Sequence, residues 1–330
     1  MSKMSRRTFL KLIAGSIAAL SAVIIGEELY RMLQGKKEKP LPPRKYKSNP
    51  YVEEGKVLVS IAKEKDVKAC LRKAIDAIGG IERIVDPGDV VVIKPNAGFS
   101  SPSADTDPRV IDALIEVLKE VRPSKIIIAE SAVRGFDTSF NFAQSGISDV
   151  AQKRGVELID LKRKGTSIRV ATPRRMKLES VLVYKEVYDA DVIISVPKLK
   201  RHVEAVVTIS LKNMMGAIPD SEKGLFHAMG LSKCIADLNS CIRPDLVVID
   251  AIEIMTRRGP QGGEMVRTDT IMVSGDPVAA DLLAAKMLFE VEGLDEPLQR
   301  AMKVDHIMLS AEAGVGVADP ERIKVIGENI

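Results

Sequence analysis

The sequence predicts an α/β protein, a mostly parallel sheet with helices on both faces, and three observations carry that expectation. Short runs such as Val90–Ile93, Lys125–Ala129 and Val192–Val196 are almost wholly apolar, broken only by Lys125 and Ser195, as strands buried on both faces are. Helix-start signals punctuate the chain at Thr106-Asp107-Pro108 and Asp276-Pro277, where a capping side chain precedes a proline in the first turn. Strand and helix patterns alternate, which is how crossovers between parallel strands read.

Taken in order, Val57–Ile61 reads as a strand and Asp66–Ile78 as an amphipathic helix. Val90–Ile93 is a buried strand ending in Lys94-Pro95-Asn96, followed by a helix from Pro108 to about Val121. Lys125–Ala129 is a strand ending at Glu130, and a helical segment then runs to about Arg154. Val156–Leu161 and Val192–Val196 are further strands, and Val206–Leu211 suits strand or helix. Leu225–Ile242 reads as one helix, Leu246–Ile249 as a strand ending at Asp250, and Thr270–Val273 as a strand before the helix at Pro277. Two short helices and the strand Ile323–Ile326 complete the set. Gly165–Lys185 breaks the pattern with charged, β-prone residues and suits a small inserted β segment or the seam of a subdomain.

The formal charge of +4 conceals an asymmetry. The first 47 residues hold eleven Lys/Arg against three Glu, so they carry +8 and the rest carries −4. A mildly acidic globular part argues against nucleic acid as a partner. The three cysteines, Cys70, Cys234 and Cys241, form no C-x-x-C and no iron–sulfur ligand run, and they read as small buried hydrophobes.

Ser5-Arg6-Arg7-Thr8-Phe9-Leu10-Lys11 precedes an apolar stretch from Leu12 to Ile25. A basic string with paired arginines before a short apolar run matches a twin-arginine export signal. Residues 1–34 are therefore expected to engage the twin-arginine translocase and place the protein outside the cytoplasm. Residues 9–25 offer a marginal membrane anchor if the leader is retained. Residues 35–50, rich in Lys and Pro, read as an extended solvated linker, and residues 51–330 as a single α/β domain.

The polar residues fall just after strands. Lys94 and Asn96 follow one, Glu130 another, Lys198, Lys200 and His202 a third, Asp250 a fourth and Asp276 a fifth. Ligands of parallel sheets lie outside the strands' carboxyl ends, so these residues are expected to share a pocket. Its lysines, with Lys212, and the helix starts at Pro108 and Pro277 suit a small anion. Gly259-Pro260-Gln261-Gly262-Gly263 offers a turn through which backbone approaches ligand closely, without the ending of a phosphate-binding loop. Cations around His202 are expected to keep it neutral, as an acid/base or a structural group. Glu130, Asp250 and Asp276 are the carboxylates suited to a hard cation. No paired-histidine zinc motif and no nucleophile elbow is present.

Lys94-Pro95-Asn96, Thr106-Asp107-Pro108, Pro197-Lys198-Leu199-Lys200 with His202, Leu211-Lys212-Asn213 with Gly216, Gly259-Pro260 with Gly263, and Asp276-Pro277-Val278-Ala279 with Asp281 together resemble the family called domain of unknown function 362. The resemblance runs from about Val57 to the C-terminus. It implies Thr106, Asp107, Asn213, Gly259 and Gly263 as further ligand-site residues. Some members of that family resemble fusions to ferredoxin-type modules, whose cysteines this chain lacks, and Arg201 stands where the family pattern has a small polar residue. Two functions stay open: an enzyme acting on an anionic small molecule, with His202, Glu130 and Asp250 as its catalytic groups, and a non-catalytic binding or assembly protein for a membrane-associated redox complex. No cofactor is specified.

Overall fold

The strands are β1 (Val52–Glu53), β2 (Lys56–Lys63), β3 (Val90–Pro95), β4 (Lys125–Glu130), β5 (Glu157–Asp160), β6 (Ser167–Ala171), β7 (Ser180–Tyr184), β8 (Val192–Val196), β9 (Lys198–His202), β10 (Val206–Thr208), β11 (Leu246–Thr256), β12 (Glu264–Ser274) and β13 (Ile323–Gly327). They come from a computed structural model that describes residues 39–328. The main sheet runs β1-β2-β12-β11-β8-β3-β4-β5, with β13 beside β2, β9 beside β11 and β10 beside β9. The β11-β8-β3-β4-β5 stretch is parallel throughout. β12 runs against both its neighbours, β11 and β2.

Both faces are covered, and the strand residues show it by alternating between two cores. Val91 and Ile93 pack with Ile126, Ile128, Val192 and Ile194 under the helices Val67–Ala77 and Pro108–Glu120. Val92, Ile127, Ile193 and Val247 point the other way, toward the helices Leu231–Ile242 and Pro277–Val291. This is the period-two geometry of a strand, and burying each such Val or Ile fully contributes about 1.5–3 kcal/mol.

Several expectations are refined. Gly165–Lys185 is indeed a β insertion: β6 and β7 pair antiparallel as a separate small sheet. Leu225–Ile242 is two helices, Asp220–Met229 and Leu231–Ile242, because Gly230 at φ 108° breaks the run. Val206–Leu211 divides into β10 and a short helix, Ser210–Asn213. The strand expected to stop at Asp250 continues to Thr256, with an irregularity between Ala251 and Glu253. All three cysteines are buried and unbridged.

The solvated linker is corrected over residues 41–50. Leu41 hydrogen-bonds with Arg169 and Ala171 of β6. Arg44 is buried, donates to the carbonyls of Ala190 and Asp191, and pairs with Asp245 at 2.9 Å. Lys47 bridges Asp86 and Asp89. Tertiary partners far along the chain draw in a segment whose Lys/Pro composition alone favours extension. The twin-arginine string and the apolar stretch 9–25 lie outside the described residues. Among the described residues no helix is long and apolar enough to cross a membrane.

Candidate functional site

A cavity of about 500 Å³ opens beyond the carboxyl ends of β3, β4 and β9, within the range typical of small-molecule sites. Asn96, Glu130, Lys200, His202, Lys212 and Asn213 line it. The topology brings them there: β3, β4 and β8 are parallel neighbours, and β9 continues β8 past Pro197 along β11.

Glu130 and Lys94 anchor the floor. Their side chains are buried and 2.5 Å apart, and Lys94 Nζ also donates to the Pro95 carbonyl. Burial depresses the Lys94 ammonium pKa more than Glu130 raises it. Glu130 accepts from the Ser131 backbone N–H at 2.7 Å. Asn213 ties the floor together. Its amide donates to the Lys94 carbonyl and Ser195 Oγ, and its Oδ1 accepts from Asn96 at 3.2 Å. Gly216 passes so close that an added Cβ would sit 1.8 Å from Glu130 Oε1 and 2.5 Å from Lys94 Nζ. A side chain at 216 would displace the pair.

Lys198 and Lys200 alternate with Leu199 on β9, so both lysines take one face and Leu199 enters the opposite core. Lys200 donates to Asn96 Oδ1 at 2.8 Å and the Ala104 carbonyl at 2.5 Å, and lies 5.0 Å from the centre of the Phe99 ring. Burial lowers its pKa and raises that of the neighbouring Asp105. Lys198 instead pairs with Asp250 at 3.1 Å, and both are buried.

Lys212 differs from the other lysines. Its hydrogen-bond acceptor among the described residues is Met215 Sδ, at 3.7 Å, a weak one, and no carboxylate lies within ion-pair distance. Desolvation, only partly opposed by Glu204, lowers its pKa to about 8.

His202 is neutral, its pKa pushed down to about 2 by burial first and then by Lys212 and Lys200. Its Nδ1 accepts from the backbone N–H groups of Glu204 and Ala205, each at 3.1 Å. The proton therefore resides on Nε2. With Nδ1 engaged by backbone, His202 turns Nε2–H to its surroundings as a hydrogen-bond donor.

The remaining expected residues serve the scaffold. Asp250 accepts from Lys198 and from the N–H groups of Asp107 and Ile252, and it does not line the cavity. Thr106 Oγ1 accepts from Asn96 N and donates to the Val196 carbonyl. Asp107 caps its helix and holds Arg109. Asp276 caps the helix Pro277–Val291 and also accepts from Val317 N. It follows β12, the reversed strand, so it stands at the other end of the sheet. Glu130, Asp250 and Asp276 consequently do not converge, and among the described residues no group of three metal-ligating side chains does. The helix starts at Pro108 and Pro277 do not line the cavity either. Gly259 approaches the Arg201 carbonyl, where a Cβ would lie 1.8 Å away, and Gly263 approaches the Arg258 carbonyl. Their closeness is to backbone, not to ligand, although Pro260 between them lines the cavity.

Sequence reasoning missed Lys223, which reaches the cavity from the helix Asp220–Met229. Its Nζ donates to Ser131 O, Ser131 Oγ and Ala132 O, and burial lowers its pKa to about 8. It also missed Phe99 and Met215, which line the cavity. No local pattern marks these residues, because tertiary packing alone brings them to the cavity.

Residues 91–286 match the family described as domain of unknown function (DUF362), and the chain belongs to that family. A curated relative, a thylakoid-associated protein of Synechocystis sp., is 26% identical over 230 residues, 67% of this chain and 69% of that one. Solved structures that align with it include the lactate racemase apoprotein of Thermoanaerobacterium thermosaccharolyticum, at 13% identity and a TM-score of 0.45 over 74% of this chain. A protein from Thermotoga maritima aligns at 13% identity and a TM-score of 0.40 over 76% of this chain. The chain spans 60% of the length of each of those two solved chains.

Proposed function

We propose that this protein binds a small organic anion in the cavity beyond β3, β4 and β9. The observation that carries the reading is Lys212, a half-buried ammonium on the cavity wall whose hydrogen-bond acceptor among the described residues is a thioether. Burying an unpaired charge is costly, and an anionic ligand removes that cost. The groups around it are of matching kind. His202 Nε2–H is a donor, and the acceptor on the floor, Glu130, is already engaged by Lys94 and Ser131 N–H. A cavity whose uncommitted groups donate selects a ligand that accepts.

Titration calorimetry of the full chain with methylphosphonate and with acetate at low ionic strength tests this. We expect at least one to bind, and Lys212→Met to weaken it by tenfold or more while the melting temperature holds or rises. Equal affinity in wild type and variant would place the anion elsewhere.

The same reading puts the protein outside the cytoplasm or on the membrane's outer face. The Ser5–Lys11 string supports export, and the thylakoid-associated relative supports a membrane setting. Replacing Arg6 and Arg7 by Lys should leave the protein in the cytoplasmic fraction. An unchanged distribution would remove the twin-arginine route.

A further inference from the structure

We infer that the anion is amphiphilic, a charged head attached to an apolar chain, with the head on the floor and the chain leading out through the mouth. The inference rests on the anion-binding reading and adds the class of molecule. Its basis is a polar floor joined to an apolar stretch of lining that reaches the mouth. The residues that line it most deeply are polar: Lys200 is 1% exposed, Glu130 2% and Asn213 3%. The lining residues nearest solvent include Val203, 83% exposed, and Val133, 39% exposed.

Single exposed valines are common and carry no message. These two share one cavity, and Phe99, Met215 and Pro260 continue the apolar lining behind them. Phe99 is held in place edge-on by Phe136, with ring centroids 5.3 Å apart. At the rim Glu204 and His227 pair with each other at 2.7 Å, and Arg134 is a further exposed polar group of the lining.

A ligand that is charged at one end matches the floor, and a chain of several methylenes covers the rim. A compact polyanion matches the floor only and leaves the valines in water. The glycine–proline turn does not obstruct this path, because Gly259 packs on the Arg201 backbone and only Pro260 faces the cavity.

The test is a homologous series on the full chain by titration calorimetry, below micelle-forming concentrations: methyl-, butyl-, hexyl- and octylphosphonate, and acetate through octanoate. Full burial of a methylene is worth about a fourfold gain in affinity, so a partly exposed path predicts about twofold to threefold per carbon. In the double variant Val133→Ser, Val203→Ser the gain per carbon should fall by half or more. Lys212→Met should weaken every length by a similar factor. If the methyl probes bind but longer chains add nothing, the amphiphile is refuted and the anion reading stands. If no length binds, the anion reading itself fails. A gain with length that ignores both the rim and Lys212 variants means adsorption elsewhere and overturns the proposal. Dihexanoyl phosphatidic acid as a further probe separates sources. Binding tighter than hexylphosphonate assigns a two-chain bilayer lipid, and weaker binding a single-chain free amphiphile.

Discussion

The carboxyl ends of β3 and β4 look alike in sequence to the carboxyl end of β12, yet the two regions do different work. β3 and β4 lead Asn96 and Glu130 to the cavity floor, with the buried Lys94 paired to Glu130. β12 ends just before Asp276, also a polar residue after an apolar run and before a proline. That carboxylate caps a helix and holds Val317 N at the other end of the sheet. The difference lies in strand direction, since β12 alone among the central strands is reversed against its neighbours. A polar residue after a strand therefore points to a ligand only where its strand runs with the others. β11 supplies the intermediate case: it runs parallel to β8 and β9, but Asp250 lies midway along it and is consumed by Lys198.

The sharpest way to break this comparison is at Asp250. Asp250→Ala leaves the Lys198 ammonium buried without a partner and frees the Asp107 N–H, and breaking such a pair costs about 3–5 kcal/mol. Denaturant unfolding should show that loss, and adding Lys198→Met should recover much of it, because an uncharged buried chain needs no counter-ion. If millimolar methylphosphonate instead restored the stability of the single variant, Lys198 would belong to the ligand site and the division drawn here would fall.

A smaller effect is expected at Asp276. Its carboxylate satisfies Val278 N, Ala279 N and Val317 N, so Asp276→Ala should cost about 2 kcal/mol, the upper end for a lost helix cap. Anion affinity should not move. A parallel loss of binding would show that the two ends of the sheet are coupled.

The pieces of the fold legible in sequence were those with burial on both faces. Val90–Ile93 and Val192–Ile194 are continuously apolar because each contacts two helix layers. The outer half of β12, Glu264–Asp269, was not legible, because its residues are mostly half-exposed and no apolar run marks it. Strand direction leaves no trace in composition, which is why Asp276 was misplaced. Arg44 illustrates a related limit: its neighbours are Pro and Lys, and only Ala190, Asp191 and Asp245, 146 to 201 residues away, make it a buried residue. Of the residues picked out at strand ends, Asn96, Glu130, Lys200 and His202 line the cavity, whereas Lys94 and Lys198 do not. The tautomer of His202 was not legible, because it depends on two backbone N–H groups meeting Nδ1. Lys223 was missed because its depth comes from how the helix Asp220–Met229 packs.

The response of Lys212 to pH gives the last prediction. Lys212 titrates near 8 in the folded protein, against 10.5 for a free lysine, chiefly through desolvation. An anion binds the ammonium form, so affinity should be flat below pH 8 and fall up to about tenfold, or about 1.4 kcal/mol, per pH unit above it. The ligand-free protein should respond in the opposite sense. Between pH 8 and 10.5 the unfolded chain keeps a proton that folded Lys212 has lost, so deprotonation relieves the burial penalty and Lys212's contribution to stability rises with pH. Lys200 and Lys223, whose pKa values are also lowered, add slopes of the same sign. The difference between wild type and Lys212→Met isolates the one residue. Calorimetric affinity and denaturant stability measured at half-unit steps from pH 7 to 10 should diverge in wild type and lose the Lys212 share of both trends in the variant. Parallel trends, or trends the variant leaves intact, would mean that the ammonium left without a carboxylate is not what the ligand meets.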